Sequence, residues 1–294
     1  MRSQATKRTV WLGRGLTAAA LLVAAMMPLL ARGARAQDTA PTLEIVSPAP
    51  GAQITTDDIE VTVKISNFTI DCAAAGRPDK DGEGHIHVML DGMTMATLTN
   101  FYCTESFTIS GDGLAAGTHT LIVDLATNTH VDLMETAREV EIDYQPTTVR
   151  PLPEANDRGE PGVELVSPTD GAEVEAAFTV EVAPVNFAPS ATLEGKQNVP
   201  GYGHYHVFVD TDMAMIGMAM ESSPETGMGS PEAGMDEMHM KAMAGMVAMP
   251  GTNTFDLDLS AWGPGEHTIW IEPVQNDHTT FETFGHVEFT VTVK

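Results

Sequence analysis

One histidine pattern occurs twice in this chain, and no other sequence feature constrains its fold as strongly. Gly84–Asp91, which reads GHIHVMLD, returns as Gly203–Asp210, which reads GHYHVFVD. Downstream of each run, a Gly-x-His-Thr sequence is followed by a further histidine eleven residues after its own. These further pairs are His119 with His130 and His267 with His278. A repeat has to be recognised before any fold is assigned, and here it predicts two domains of one architecture.

The second copy differs from the first by one insertion. Asp91 and Asp210 are 119 residues apart, whereas Phe107 and Phe255 are 148 apart, so 29 extra residues (148 − 119) lie between Asp210 and Phe255. This stretch contains a methionine-rich tract, about residues 213–249, with 11 of the 18 methionines of the chain. Its sequence is not typical of strands, and we predict that it is helical in part or disordered.

The first 36 residues have the composition of a secretory signal peptide. Four basic residues precede an apolar stretch at Leu16–Leu30, and Ala34-Arg35-Ala36 offers a small-x-small cleavage site. We therefore predict cleavage after Ala36 and a secreted or periplasmic location. The remaining sequence contains no apolar stretch long enough to cross a bilayer, so we expect no membrane span in the mature chain.

Both copies consist of short runs rich in Val, Ile, Thr and aromatic residues, separated by Gly, Pro, Asp and Asn. Runs of this kind are typical of β-strands, and their spacing predicts an all-β chain of two tandem immunoglobulin-like β-sandwiches. The domains are expected at residues 37–145 and 161–294. Residues 146–160 contain three prolines and are predicted to form the linker.

The net charge of −26 at pH 7 excludes some partners. A strongly acidic surface repels nucleic acid and attracts cations, so we expect no nucleic-acid partner. Solubility is the other explanation of the charge, which therefore does not identify a partner. The sequence contains no glycine-rich phosphate loop, no recognisable Ser/His/Asp arrangement and no paired catalytic carboxylates. We accordingly predict that the protein is not an enzyme.

The two cysteines, Cys72 and Cys103, both lie in the first copy. In an exported protein such a pair is expected to form a disulfide. A copper–thiolate site is the alternative.

The duplicated histidines are the candidate metal ligands. Side chains at i and i+2 of a strand point to the same face, so His85 and His87 are expected to present both imidazoles together, with further ligands from His119 and His130. The same reasoning predicts a second site at His204, His206, His267 and His278. Nitrogen ligands suit copper(II) or zinc. Asp91 and Asp210 are candidates for orienting an imidazole. The alternative is that the histidines are polar surface residues or only hydrogen-bond to loops.

The methionine-rich tract provides a second candidate site, because thioether sulfur favours copper(I). Six residues with mostly three-residue spacing are the copper(I) candidates: Met235, Met238, His239, Met240, Met243 and Met246. The alternative is a methionine-rich surface that packs adaptably on a partner or on its own domain.

Two resemblances follow from these motifs. The Gly-His-x-His-x-x-x-Asp run, followed by Gly-x-His-Thr and another histidine, resembles a family of small secreted bacterial domains of unknown function, which implies an exported β-sandwich. The Met/His run from Met235 to Met246 is similar to segments of periplasmic copper-handling proteins. Copper is thus the expected cofactor, with zinc as the other candidate, and a copper donor or acceptor protein is the expected partner. The competing hypothesis is a non-enzymatic immunoglobulin-like module with a structural or interaction role at the cell surface or outside the cell.

Overall fold

The computed structural model describes residues 40–211 and 243–294. The predicted signal peptide and most of the methionine-rich insertion lie outside these ranges. The described residues form one compact unit that contains both copies of the repeat. In the two described ranges, no helix is long and apolar enough to cross a membrane.

The first copy contains nine strands and three short 3₁₀ turns. The turns are Cys72–Ala74, Met95–Thr97 and Met134–Thr136. The strands are β1 (Thr42–Ser47), β2 (Ala52–Ile54), β3 (Ile59–Ser66), β4 (Thr69–Ile70), β5 (Glu83–Leu90), β6 (Leu98–Tyr102), β7 (Ser106–Ile109), β8 (Gly117–Thr127) and β9 (Arg138–Tyr144).

The second copy repeats this series. Its strands are β10 (Gly162–Ser167), β11 (Ala172–Val174), β12 (Ala177–Val185), β13 (Ala188–Pro189), β14 (Tyr202–Val209), β15 (Met246–Ala248), β16 (Thr254–Asp258), β17 (Gly265–Val274) and β18 (Val287–Val293).

Each copy folds into a two-sheet sandwich. In the first domain β1-β3-β7 form one sheet, and β2-β9-β8-β5-β4 form the other, with β6 also paired to β5. The second domain has the same arrangement, with β10-β12-β16 opposite β11-β18-β17-β14-β13 and β15 paired to β14. The prediction of two tandem immunoglobulin-like β-sandwiches is therefore confirmed.

The alternation of residues along β5 and β14 positions the histidines. Ile86, Val88 and Leu90 point into the core of the first sandwich, so His85 and His87 point to the opposite face of the same sheet. Tyr205, Val207 and Val209 fill the second core in the same way. Because every residue of β5 is buried, the face that carries the histidines is covered as well.

That face is covered by the other domain. A third hydrophobic cluster combines side chains of the two six-stranded sheets. Removing each such side chain from water contributes roughly 1.5–3 kcal/mol, so this cluster stabilises the contact between the domains. Its buried members are Met89, Leu98, Ile122, Phe208, Met243, Met246 and Met249.

The predicted C-terminal boundary of the methionine-rich insertion, at about residue 249, is corrected by the structure. Met246–Ala248 forms β15 and pairs with β14 as β6 pairs with β5, so Met246 occupies the position of Leu98. Met243 and Met249 likewise correspond to Met95 and Phe101 at the offset of 148 residues. Residues 243–249 therefore belong to the repeated fold, and the insertion ends before them.

The predicted disulfide is confirmed. Cys72 and Cys103 are joined, with their Cα atoms 5.6 Å apart. In the chain-entropy description a loop of this length contributes about 3–4 kcal/mol. The corresponding positions of the second domain are Ala191 and Gly251, where the backbones approach so closely that a Cβ on Gly251 would lie 2.0 Å from Ala191 N.

The segment predicted as a linker, residues 146–160, contains no strand and is held to both domains. Thr147 Oγ1 donates to Asp57 in the first domain, and Arg150 pairs with Asp58 and Asp112. Asn156 N donates to the Pro200 carbonyl of the second domain, at 2.8 Å.

Candidate metal centre

Three imidazoles converge in each domain at the interface between the two six-stranded sheets. In the first domain they belong to His85 and His87 of β5 and to His130, in the turn after β8. In the second domain they belong to His204 and His206 of β14 and to His278, in the turn after β17. We call these groups the first and second triads.

The first triad has the geometry of a metal site. His85 Nε2 lies 3.1 Å from His87 Nε2 and 3.0 Å from His130 Nδ1, and the latter two nitrogens are 3.3 Å apart. A point about 2.0–2.1 Å from all three nitrogens, the zinc–imidazole distance, lies roughly 1 Å out of their plane. One ion can thus bind all three nitrogens and retain an open coordination position.

The hydrogen bonds of the outer nitrogens determine which ring atoms face the centre. His130 Nε2 donates to the Met246 carbonyl at 2.8 Å, and His87 Nδ1 donates to Asp132 Oδ1 at 2.7 Å. His130 Nδ1 and His87 Nε2 therefore both carry lone pairs, and these lone pairs face each other. A cation between them turns this repulsion into coordination.

The second triad repeats this arrangement. His278 Nε2 donates to the Leu98 carbonyl at 2.7 Å, which leaves a lone pair on Nδ1. That Nδ1 lies 3.1 Å from His204 Nε2 and 3.3 Å from His206 Nε2. The same ring atoms thus face the centre in both domains.

The hydrogen bonds to Met246 and Leu98 are reciprocal between the domains. Each domain supplies the carbonyl oxygen that orients the third histidine of the other domain. Partners of this kind fix the tautomer and the ring orientation of a metal-ligating histidine. The interface between the domains is therefore part of both sites.

Burial lowers the pKa of two imidazoles in each triad. All six are at most 9 % exposed, and loss of solvation lowers the pKa of His130 to about 3 and of His278 to about 4. Burial also holds the pKa values of His85 and His204 well below the ordinary range, with the neighbouring histidines adding to the effect. Neutral imidazole is the form that binds metal.

The backbone at the third position of each triad is unusual. His130 and His278 have φ values of 62° and 65°, in the left-handed region that few non-glycine residues adopt. Such conformations concentrate at functional sites, where the surrounding structure maintains them. Their recurrence in both copies shows that the turn places the imidazole at the triad.

Carboxylates lie next to each triad. Asp124 is paired with His87 across β8 and β5, and Glu272 is paired with His206 across β17 and β14. Burial raises the pKa of Asp124 to about 8, with the Asp132 charge adding to it, and raises the pKa of Glu272 to about 7. Sequence reasoning missed these residues. The available signal was an acidic residue inside an otherwise apolar strand, as in LIVDLA at residues 121–126.

His119 and His267 are not members of the triads, which corrects the predicted ligand set. His119 Nδ1 binds Asp91 Oδ2 at 2.6 Å and its Nε2 binds the Ala115 carbonyl. His267 binds Asp210 and Gly263 in the same way. Because His85 pairs with Ala126, seven residues after His119 on one strand, the separation along that strand is about 23 Å. Asp91 and Asp210 therefore orient His119 and His267, at the far end of each sheet.

The six predicted copper(I) ligands divide into two groups. Met243 and Met246 are 7 % and 0 % exposed and pack in the hydrophobic cluster between the domains. A copper(I) role for these two stays a prediction. Met235, Met238, His239 and Met240 lie outside the described residues, and their copper(I) role stays a prediction.

Comparison with known proteins assigns this chain to no family. No protein-family model matches it, and no curated protein does. Among solved structures, fibronectin(III)-like modules of Clostridium thermocellum CbhA are 11 % identical, with a TM-score of 0.25, over 86 % of this chain and 94 % of theirs. Bacteroides uniformis β-glucuronidase 3 is 9 % identical, with a TM-score of 0.24, over 86 % of this chain and 25 % of its own. Dimeric latent PorU from Porphyromonas gingivalis is 10 % identical, with a TM-score of 0.25, over 91 % of this chain and 22 % of its own. Similarity at this level carries no inference about function.

Proposed function

We propose that this protein is an exported, non-enzymatic metal-binding protein that sequesters or transfers copper, with zinc as the alternative ion. The observation that carries the proposal is the convergence of three buried imidazoles on one point, in both domains. Three nitrogen donors suit copper(II) and zinc, and the depressed pKa values leave the lone pairs available at neutral pH.

Several features of the chain support sequestration or transfer. The triads lie in a buried interface, where a bound ion is shielded from solvent and from side reactions. The acidic surface concentrates cations near the protein. The predicted signal peptide and the disulfide fit an oxidising compartment outside the cytoplasm. The part of the methionine-rich tract before residue 243 provides soft ligands for copper(I), and a copper donor or acceptor protein is the corresponding partner.

Removal of single triad histidines tests the proposal. We expect the His204→Ala variant of the mature protein to lose one tightly bound zinc or copper(II) ion relative to the unmutated protein, because two nitrogens and no third donor hold an ion weakly. The matched controls are His119→Ala and His267→Ala, which remove buried or half-buried histidines outside the triads. The readout is metal content after equilibrium dialysis against a competing chelator.

The controls are expected to retain every bound ion. Loss of metal from the control variants and not from His204→Ala would contradict the proposal. An unmutated protein that binds neither copper nor zinc under these conditions would favour the competing hypothesis, a structural or interaction module.

A further inference from the structure

An unpartnered carboxylate, that of Asp124, lies next to His87 of the first triad. Asp124 is fully buried, and neither of its oxygens has a hydrogen-bond partner among the described residues. Polar groups this deeply buried normally have a partner, because an unpaired one costs free energy. A ligand at this position would provide the missing partner.

Asp132 completes a set of donors around this position. Its Oδ1 lies 2.7 Å from His87 Nδ1, and a β-bridge to Ala126 fixes the backbone of Asp132 beside β8. One ligand atom from each of His87, Asp124 and Asp132 lies within 4.8 Å of the others. Two carboxylate oxygens and one imidazole nitrogen are donors that zinc and copper(II) accept. The Asp132 side chain is 36 % exposed and offers a path from solvent.

Among the described residues of the second domain no equivalent set occurs beside His206, although the triad is equivalent. Glu272 occupies the position of Asp124, but its Oε2 already accepts a hydrogen bond from Trp270 Nε1 at 3.0 Å. Thr280 occupies the position of Asp132, as the corresponding β-bridge to Val274 shows, and it has no carboxylate. At this position the two domains therefore differ in these side chains.

We propose that the first domain binds a second divalent transition-metal ion between Asp124, Asp132 and Nδ1 of His87, so that the His87 imidazole bridges two ions. This inference rests on the proposed function, because Nε2 of His87 is a ligand of the first triad. When the second ion binds, His87 Nδ1 and the Asp124 carboxyl group each release a proton to solvent and coordinate the ion together with Asp132, and the two resulting carboxylates offset the charge. The residues that the structure describes then hold three ions, two in the first domain and one in the second.

The Asp124→Asn variant tests this assignment, since it removes a carboxylate ligand of the proposed ion and preserves the shape of the side chain. We expect the unmutated mature protein to retain three zinc ions per chain after dialysis against a weak chelator, and Asp124→Asn to retain two. Glu272→Gln is the matched control in the second domain and is expected to retain three. Circular dichroism establishes that each variant is folded.

The outcomes separate the two proposals. Two zinc ions in both the unmutated protein and Asp124→Asn would overturn the second position and leave the triads intact, whereas binding of neither zinc nor copper(II) would overturn the proposed function itself. A second measurement uses the unmutated protein alone, loaded with copper(II). Two copper(II) ions that share one imidazolate couple magnetically and give no signal at low temperature. We therefore expect electron paramagnetic resonance to detect one of every three bound copper ions, the isolated ion of the second domain. Detection of all bound copper as isolated ions would overturn the bridge.

Discussion

Replacing Met246 with aspartate is expected to lower the free energy of unfolding by about 4 kcal/mol, because the change removes buried packing and places a carboxylate in an apolar interface. Met246 is fully buried between the domains, and its carbonyl orients His130. We therefore also expect weaker metal binding at the first triad. Urea denaturation and metal content after dialysis are the two readouts.

Met134→Asp is the matched control for this variant. Met134 is 56 % exposed, so the same substitution there is expected to change the free energy of unfolding by less than about 0.5 kcal/mol and to leave metal binding unchanged. Equal stabilities of Met246→Asp and Met134→Asp would contradict the buried interface.

Bound metal is expected to persist as the pH falls from 7 to 5 and to be released near pH 4. Protons compete with metal for an imidazole only below its pKa, and the pKa values of His130 and His278 are lowered to about 3 and about 4. Protonation of an ordinary imidazole, with a pKa near 6.5, weakens metal binding about 30-fold at pH 5. Two histidines of each triad have lowered pKa values. A site with two ordinary imidazoles in their place would therefore lose about 1000-fold more metal affinity than the triad between pH 7 and pH 5.

The measurement is metal content after dialysis at a series of pH values, with circular dichroism to verify that the protein stays folded. A synthetic peptide of residues 84–91 serves as the control, because its histidines are exposed and titrate normally. If the folded protein released half of its metal between pH 6 and 6.5, at the same pH as the peptide, burial would not protect the triads from protons.

Strand periodicity predicted much of the fold and part of each site. The alternation in Glu83–Leu90 places the histidines on one face and Ile86, Val88 and Leu90 on the other, as the structure shows. This local rule depends only on the two-residue period of a strand. The very short strands β2 and β4 and the strand β6 carry too little pattern to be recognised in this way.

Long-range pairing explains what periodicity did not predict. His119 and His130 lie near opposite ends of β8, which is eleven residues long, and only the register of β8 on β5 decides which of them meets His85. The covered outer face of β5 could not be foreseen either, because a second domain buries it. Met246 illustrates the same point, since its position in a methionine-rich tract resembles that of the candidate copper ligands, whereas pairing with β14 places it in the interface.

Anomalous diffraction from crystals of the zinc-loaded protein, recorded at the zinc absorption edge, tests the central claim most directly. We expect one peak about 2.0–2.1 Å from His85 Nε2, His87 Nε2 and His130 Nδ1, and another at the same distance from His204 Nε2, His206 Nε2 and His278 Nδ1. Peaks confined to surface carboxylates or to His119 and His267, with none at either triad, would contradict the assignment of the triads as metal sites.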